Sequence, residues 1–378
     1  MRYLSHAHPG VFKNKRVLLR ADFNIENPKD PAGLFRLDAT IPTIKKLLMM
    51  GAKVIIMSHR GRPRNNLKSR NQRSKLSLRP LVPILKKKLK RRVVFLTALP
   101  RVVAPPNGRV FLMENLRFFS GEEKNDSGFA RALAALGDVY VNDAFAVSHR
   151  KNASIVAITK FLPSYAGLLL EKEIGNLDKV MRVVRRPFTI VIGGAKTADK
   201  IEVLEYFSKK ADWILLGGGP ANTFLKAVGI DIGKSIYDPK LVSLARRMLR
   251  NENIILPVDF RKEKGRMLDI GPYTEKKFSE IIRSSKTILW NGPMGRFEKK
   301  TFARGSEVIA QAITKSRAFS VVGGGETVML ISQLGLLKKF DFVSTGGGAM
   351  LAYLAGEKLP GIAALQDGRV SLFRNRKY

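Results

Sequence analysis

Apolar residues recur along this chain with two different spacings. Short continuous runs of valine, isoleucine and leucine are typical of strands buried on both faces of a sheet. Between them lie segments whose apolar residues recur every three or four positions, which indicates amphipathic helices. In the first half we predict a short strand that ends near Arg20, strands at 53–57, 93–96, 110–113 and 139–141, and helices at 41–50, 81–89 and 128–136. This alternation predicts a parallel, doubly wound sheet.

Glycines follow the apolar runs of the second half. Four runs lead straight into glycine turns, in the segments FTIVIGGAK, WILLGGGPAN, FSVVGGGETV and FVSTGGGAML, and further strands are predicted at 254–258 and 286–289. The turns predict one sheet edge lined with free backbone N–H groups, where open α/β sheets bind ligands. None of the turns matches G-x-G-x-x-G or G-x-x-x-x-G-K-[ST], so the dinucleotide fingerprint and the P-loop are both excluded.

The first of these turns opens a predicted helix, within the segment 188–207. Its N–H groups and the positive end of the helix dipole favour phosphate. Lys196 and Lys200 are four residues apart and share one helical face, and the carboxylate of Asp199 could reach a cation bound to the phosphate. A tight turn with two solvated lysines would explain the same residues without a ligand.

The strand ends of the first half carry basic side chains instead of glycine. Guanidinium groups bind carboxylates and phosphates through paired hydrogen bonds. Each of these residues taken alone is more often a solvated surface residue, but as a set they favour a small molecule with several negative charges. The set is Arg20, Arg36, His59, Arg62, Arg117, His149 and Arg150.

The apolar pattern also predicts how the chain is divided. We predict two doubly wound parallel-sheet domains, 1–164 and 186–363, joined by a helix at 165–185, with an active-site cleft between them and the tail 364–378 packed back on the first domain. The segment 60–79 holds eight lysines and arginines and no acidic residue, and its weak periodicity predicts a loop.

Composition excludes several classes of protein and several kinds of functional site. The 378 residues include no cysteine, which excludes disulfides, thiolate zinc sites and a cysteine nucleophile. The four histidines are too few to favour a multi-histidine metal centre. No apolar run approaches the ~18–20 residues that span a bilayer, and the N-terminus lacks the apolar core of a signal peptide. We therefore expect a soluble, cytoplasmic protein.

The formal net charge of +37 has two interpretations. It could attract polyanions such as nucleic acid, or it could be a generally basic surface with no specific partner. Basic residues are spread over the whole chain, and aromatic residues do not alternate with them as base stacking would require. The second interpretation is favoured, and we expect no nucleic-acid partner.

Thirteen segments, in one order over nearly the full length, resemble the phosphoglycerate kinase family. They include RADFN, SHRGRP, NDAFAVSHR, GGAKTADKI, GGGPANTFLK, WNGPMGRFE and VGGGETV. The resemblance implies reversible phosphoryl transfer between 1,3-bisphosphoglycerate and ADP, which gives 3-phosphoglycerate and ATP, with Mg²⁺ and hinged domain closure. We expect small-molecule substrates and a monomer. The competing hypothesis is a basic nucleic-acid-binding protein that keeps the kinase-like fold without catalysis.

The resemblance also assigns roles to residues. The residues that the resemblance assigns to 3-phosphoglycerate binding are Asp22, Asn24, Arg36, His59, Arg62, Arg117, His149 and Arg150. The residues that the resemblance assigns to the nucleotide phosphates are Gly194, Ala195, Lys196, Lys200, Gly325 and Thr327, and Glu298 is assigned to the ribose. Our predicted nucleotide-binding set also includes Gly218, Gly271, Asn291 and Glu326. Arg36 and Lys196 are expected nearest the transferred phosphoryl group. Asp199 and Glu326 are the predicted metal ligands.

Three positions depart from the family pattern. Glu326 stands where the family usually has aspartate, so it either reaches the cation through a water or a shifted cation position, or merely caps its helix. Pro220 replaces a smaller or flexible apolar residue. Arg296 replaces an aliphatic one.

Overall fold

The computed structural model describes residues 1–25, 27–28, 33–63, 70–97 and 108–367. Packing divides them into two units. Met1–Ile174 forms the first unit together with the described residues from Lys358 onward, and Gly175–Glu357 forms the second. Each unit has its own apolar core, and among the described helices none is long and apolar enough to cross a membrane.

The first unit contains six strands among its described residues. Its elements are β1 (Arg16–Arg20), α1 (Phe35–Met49), β2 (Lys53–Met57), α2 (Arg70–Leu76), α3 (Val82–Leu89), β3 (Val93–Leu96), β4 (Val110–Met113), α4 (Ser120–Glu123), α5 (Ser127–Ala134), β5 (Val139–Asn142), β6 (Ser164–Ala166) and the start of α6 (Leu168–Arg182). The strands form one parallel sheet in the order β3-β4-β2-β1-β5-β6.

The second unit contains a similar sheet and a separate hairpin. Its elements after α6 are β7 (Phe188–Ile192), α7 (Ala198–Ser208), β8 (Trp213–Leu216), α8 (Gly218–Ala227), α9 (Val242–Met248), β9 (Ile254–Ile255), β10 (Phe260–Glu263), β11 (Arg266–Ile270), α10 (Pro272–Ser284), β12 (Thr287–Asn291), α11 (Arg304–Lys315), β13 (Phe319–Gly323), α12 (Gly325–Gln333), β14 (Phe342–Val343) and α13 (Gly347–Leu354). The parallel sheet has the order β14-β13-β12-β7-β8-β9, and β10 and β11 pair antiparallel. The last described helix, α14 (Pro360–Asp367), belongs to the first unit.

The pairing register explains why polar groups converge at one edge of each sheet. In the first unit Arg20 pairs with Met57 and with Asn142, so the residues that follow β1, β2 and β5 leave the sheet together. In the second unit Asn291 pairs with both Ile192 and Gly323. The glycine turns after β7, β12 and β13 are therefore brought to one edge.

The structure confirms two parallel α/β domains and corrects several predicted elements. The segment 60–79 is not a continuous loop, because α2 lies within it. The predicted strand 254–258 shortens to β9. The predicted helix 165–185 shortens to α6 (Leu168–Arg182), because the unpredicted strand β6 occupies its first residues. The β10–β11 hairpin and α14 were not predicted. The domain limits given above stay predictions.

Candidate functional site

A buried arginine supports the polar edge of the first unit. The Arg20 guanidinium donates to Ser154 Oγ (2.8 Å) and to the carbonyl of Ala21, and it lies 3.7 Å from Glu122 Oε1. Glu122 in turn accepts hydrogen bonds from Ser154. Only 2% of the surface of Arg20 is exposed. Arg20 therefore lies beneath the polar edge, which it stabilises through these hydrogen bonds.

Asp22 lies between basic side chains at the same polar edge. Its carboxylate lies 3.1 Å from Arg36 Nη1 and 3.8 Å from His59 Nδ1. Burial opposes ionisation of Asp22, but the charge of Arg36 and the hydrogen bond from Asn24 N outweigh burial, and the pKa of Asp22 is lowered. Burial and the neighbouring arginines hold the pKa of His59 well below its usual value, so this imidazole is neutral at neutral pH.

The turn after β2 is fixed by residues from two other strand ends. Asn24 Oδ1 accepts a hydrogen bond from Gly61 N (2.7 Å), and the carbonyl of Gly61 accepts one from Arg117 Nη1 (2.6 Å). Arg62, the next residue, is exposed to solvent. Arg117 also pairs with Glu123 at 3.2 Å. The structure thus brings all three predicted residues Asn24, Arg62 and Arg117 to one place.

Positive charges at this edge exceed the local carboxylates. Burial, and then the charge of Arg150, lower the pKa of Arg117 to about 10. Burial, and then Arg62, lower the pKa of Arg150, whose Nε lies 3.2 Å from His149 Nε2. Burial and Arg150 lower the pKa of His149. A cluster of cations that depress one another's pKa is suited to an anion with several charges.

Backbone hydrogen bonds donated by glycines join the strand ends of the second unit. Gly194 N donates to Pro293 O (2.6 Å), Gly218 N to Met294 O (3.0 Å), and Gly219 N to Gly194 O (2.8 Å). Gly218 has a φ of 56°, and a Cβ there would lie 2.5 Å from the Gly194 carbonyl oxygen. Only glycine permits this close approach of two turns.

The two lysines of the first glycine turn have different environments. Lys200, on α7, is buried, and its ammonium group donates to the carbonyl of Gly193. Lys196 lies before α7 and is exposed. The backbone of Asp199 lies in α7, but its side chain is outside what the structure describes. Lys200 therefore stabilises the turn, while Lys196 is accessible to a ligand.

A cavity of about 310 Å³ lies beside these turns, entirely within the second unit. Of the residues predicted for the nucleotide, its lining includes Gly194, Ala195, Gly218, Glu298 and Glu326. Apolar residues dominate the remaining lining, among them Ile236, Pro257, Phe260, Met267, Leu268, Met294 and Phe297. Such a cavity, apolar with a few polar groups at one end, is suited to a nucleoside base and its phosphates.

The other predicted nucleotide residues lie outside the lining found for this cavity: Lys196, Lys200, Gly271, Asn291, Gly325 and Thr327. Thr327 Oγ1 accepts a hydrogen bond from Gly292 N (2.8 Å), which makes it part of the turn after β12. Asn291 is buried, and its Nδ2 has no hydrogen-bond partner among the described residues. Gly271 N donates to Asp259 O (2.8 Å) at the start of α10. The ligand roles of these residues stay predictions.

Sequence reasoning missed the wall contributed by the β10–β11 hairpin. Phe260, Met267, Leu268 and Asp269 line the cavity from it. The hairpin is short and carries charged residues, so its sequence has no signal that places it against a cavity. Burial raises the pKa of Asp269 to about 7, although Gly305 N and Ile270 N donate to its carboxylate.

The donor set is compatible with a magnesium ion that keeps ligands from phosphate and water. Glu326 is exposed at the start of α12 and lines the cavity; its Oε2 lies 3.5 Å from the position of a Cβ built on Gly194. Within the described ranges no three His, Asp or Glu side chains cluster to hold a metal by themselves. Magnesium commonly takes one or two carboxylates together with substrate phosphates, so one carboxylate at the phosphate end fits.

Comparison with known proteins agrees with this architecture. The family model "Phosphoglycerate kinase" matches residues 9–357. The phosphoglycerate kinase of Desulfosudis oleivorans is 40% identical over 93% of this chain and 96% of its own, and that of Chloroflexus aggregans is 43% identical over the same shares. Among solved structures, phosphoglycerate kinase from Pyrococcus horikoshii has a TM-score of 0.85 at 32% identity, covering 97% of this chain and 99% of its own. Phosphoglycerate kinase from Coxiella burnetii has a TM-score of 0.80 at 34% sequence identity, and the match covers 96% of this chain and 98% of its own.

Two parallel α/β units, one with a cationic edge and one with a glycine-lined cavity, define a phosphotransferase with a nucleotide co-substrate. The chain belongs to the phosphoglycerate kinase family. Its substrates are accordingly phosphoglycerate and ADP or ATP, and the nucleic-acid hypothesis has no support from these comparisons.

Proposed function

We propose that the cationic edge of the first unit binds 3-phosphoglycerate and that the cavity of the second unit binds the nucleotide. The observation that carries this division is the opposite chemistry of the two edges. Arg36, Arg62, Arg117 and Arg150 gather at the first edge, where burial and neighbouring arginines lower the pKa of Arg117 and Arg150 and Asp22 pairs with Arg36. The second edge offers backbone N–H groups, one exposed lysine and an apolar cavity.

The reaction needs no general base at the acceptor. A substrate carboxylate is already ionised near neutral pH and can attack a phosphoryl group directly. Catalysis then depends on alignment and on neutralising charge. No acidic catalytic side chain is needed, which suits a site composed of arginines, lysines and glycine turns.

We assign catalytic roles to Arg36 and Lys196. Asp22 holds one nitrogen of the Arg36 guanidinium, and no other hydrogen bond or ion pair of that guanidinium is found in the described part of the chain. Its remaining N–H groups are then available to a phosphoryl oxygen. Lys196 is exposed beside the start of α7 and supplies a mobile positive charge on the nucleotide side.

Magnesium belongs to the same proposal. Glu326 and Asp199 would hold the ion, directly or through water, beside the nucleotide phosphates. When bound, the ion neutralises phosphate charge as the phosphoryl group is transferred. The chain contributes the carboxylates, the position of Glu326 at the cavity and the N–H groups of the glycine turns.

We also propose a cytoplasmic monomer that acts in glycolysis without a nucleic-acid partner. The cysteine-free composition fits a reducing compartment.

Two measurements test the proposal. A coupled assay should detect ATP formation from 1,3-bisphosphoglycerate and ADP, and its failure would remove the activity altogether. Calorimetry should then show that Arg62→Ala and Arg150→Ala each weaken 3-phosphoglycerate binding about tenfold or more, which corresponds to losing one charge-assisted contact, while ADP binding is unchanged. Arg109→Ala is the control, because exposed Arg109 precedes β4 at the opposite edge of the sheet. Unchanged affinity for 3-phosphoglycerate in both site variants would contradict the division of the two edges.

A further inference from the structure

The guanidinium of Arg20 is held by several groups beneath the cationic edge of the first unit. Its Nε donates to Ser154 Oγ (2.8 Å), and its Nη1 donates to the carbonyl of Ala21. Its Nη2 lies 3.7 Å from Glu122 Oε1 and donates to Nδ1 of His59 (3.4 Å). Because a guanidinium is planar, these contacts together fix the direction of its N–H groups. Arg20 is therefore a donor to His59 whose direction is fixed.

Glu122 is the carboxylate that anchors this arginine. It belongs to α4 and is fully buried, and it accepts hydrogen bonds from Oγ (2.6 Å) and N (3.0 Å) of Ser154. The hydroxyl of Ser154 joins the two charged groups, because it accepts from Arg20 Nε and donates to Glu122 Oε1. A buried ion pair whose members make further hydrogen bonds forms a rigid support. Since Glu122 has no exposed surface, it is placed to affect a ligand through Arg20 and not by contact.

The bond from Arg20 determines where the proton of His59 lies. A guanidinium has N–H donors and no acceptor, so Nδ1 of His59 is the acceptor in this bond. Asp22 Oδ1 lies 3.8 Å from Nδ1, which is too far to accept a hydrogen bond from it. Burial and the neighbouring arginines outweigh Asp22 and hold the pKa of His59 well below its usual value; the arginines are Arg20, Arg117 and Arg36. The ring is thus neutral at neutral pH and carries its one proton on Nε2.

The Nε2–H of His59 is available to a ligand. In the part of the chain that the structure describes, both contacts of this ring are made by Nδ1, and no hydrogen bond joins Nε2 to another group. Nε2 is not among the buried polar atoms that lack a partner, so the 2% of His59 that is exposed includes it. An Nε2–H donates to an anionic oxygen, whereas the other tautomer would present a lone pair to that oxygen.

We propose that Arg20, anchored by Glu122 and Ser154, fixes His59 as the Nε2–H tautomer, which donates to an anionic oxygen of 3-phosphoglycerate. Glu122, Ser154 and Arg20 are then positioning residues for substrate binding. This inference rests on the proposed binding of 3-phosphoglycerate at the cationic edge. The tautomer itself is a property of the ligand-free chain and can be measured without substrate.

Long-range ¹H–¹⁵N NMR of the histidine rings tests the proposal in the native chain. The chain has four histidines, and the spectrum of His59→Gln identifies the signals of His59 by their loss. We expect a protonated Nε2 and an unprotonated Nδ1 at neutral pH. Exposed His6, whose ring has no hydrogen bond among the described residues, is the reference for a ring that exchanges between tautomers. Added 3-phosphoglycerate should move the Nε2–H resonance of His59 and leave the tautomer unchanged.

A protonated Nδ1, a charged ring or a mixture of tautomers in the native chain would overturn the inference. An Nε2–H resonance that does not move, although calorimetry shows that 3-phosphoglycerate binds, would overturn it too. If 3-phosphoglycerate does not bind at all, the proposed function fails, and the ligand-free spectrum still decides the tautomer.

The variants Glu122→Gln and Ser154→Ala test the anchor. Each removes one support of the Arg20 guanidinium, so both tautomers of His59 should appear in the spectrum. Calorimetry should show about fivefold weaker binding of 3-phosphoglycerate, as expected for the loss of one hydrogen bond, with ADP binding unchanged. Thermal unfolding checks that each variant is folded.

Asp138→Asn is the matched control. It removes the carboxylate that pairs with Arg16 (2.7 Å) at the opposite end of β1, so it should change neither the His59 signals nor the affinity for 3-phosphoglycerate. A single Nε2–H form in both folded anchor variants would contradict the positioning role, and weaker binding with that form unchanged would leave Glu122 a purely structural role. Should neither anchor variant fold, the native spectrum with and without 3-phosphoglycerate decides the inference.

Discussion

The backbone N–H of Leu169 donates a hydrogen bond of 2.9 Å to the carboxylate of Asp143. The N–H of Leu170 donates to the same oxygen at 3.2 Å, and that of Leu168 donates to Thr43 Oγ1 at 3.1 Å. Side chains from α1 and from the end of β5 thus satisfy the first N–H groups of α6. Asp143 is fully buried, and burial raises its pKa to about 7 even though these hydrogen bonds act in the opposite direction.

We predict that Asp143→Asn flattens the pH dependence of stability. The folded-state pKa of Asp143 lies above the unfolded value of ~3.9, so between about pH 4 and 7 the folded chain holds more protons, and stability falls as pH rises. Asparagine cannot ionise, so this fall should diminish. Denaturant unfolding at pH 5, 6 and 7 would measure it.

The control for this experiment is Asp138→Asn. Its pKa is lowered, first by the hydrogen bond from Arg16, so its contribution is lost only as pH falls through the acidic range. The slope between pH 5 and 7 should then equal that of the native chain. An Asp143→Asn slope indistinguishable from native would show that the Asp143 carboxyl is ionised throughout this range.

Lys196 and Lys200 should respond differently to truncation. Lys196→Ala should abolish turnover, leave ADP binding within roughly tenfold and leave the ligand-free Tm unchanged, because this lysine is exposed and its proposed role is to stabilise charge that develops in the transition state. Lys200→Ala should also lower the Tm, because it removes the ammonium group bonded to the Gly193 carbonyl. If Lys196→Ala raised only the KM for nucleotide, its catalytic role would be wrong.

A single methyl group at Gly218 should disrupt the nucleotide cavity. Gly218→Ala would place Cβ 2.5 Å from the Gly194 carbonyl oxygen, and backbone cannot move aside as a flexible side chain can. Gly229→Ala is a matched control, because Gly229 also has a positive φ (86°) but faces open space. We expect calorimetry to show a larger loss of ADP affinity in Gly218→Ala. Equal affinities in the two variants would mean that the close approach of the turns has no bearing on nucleotide binding.

Local sequence pattern predicted the sheets and the chemistry of their edges, because buried parallel strands are continuously apolar and end in distinctive residues. It did not predict β6 or the β10–β11 hairpin, which are short and lack a helical or strand period. Local sequence pattern also could not identify hydrogen-bond partners that are far apart in the sequence. Ser154 bonds Arg20 across 134 positions, and the cavity wall at Leu268 meets Arg296 only through folding.

Glu326→Gln separates metal binding from helix capping. Glutamine keeps the shape of the side chain but removes the charge that a cation would feel. If Glu326 serves magnesium, the variant should need more magnesium and show a lower kcat, while the ligand-free Tm barely changes. Titration of activity with Mg²⁺, together with thermal unfolding, measures both. A fall in Tm with unchanged magnesium dependence would assign Glu326 to the fold.

If phosphoglycerate binds between Arg117 and Arg150 as proposed, the lowered pKa of Arg117 predicts that binding takes up protons at alkaline pH. In the ligand-free chain this guanidinium has a pKa of about 10, first because of burial and then because Arg150 is near. An anion bound between the two would favour the charged form and raise the pKa again. Above about pH 9, each phosphoglycerate bound should therefore draw a fraction of a proton from solution. Calorimetry in buffers with different heats of ionisation would count that fraction, and affinity should decline as the solution becomes more alkaline.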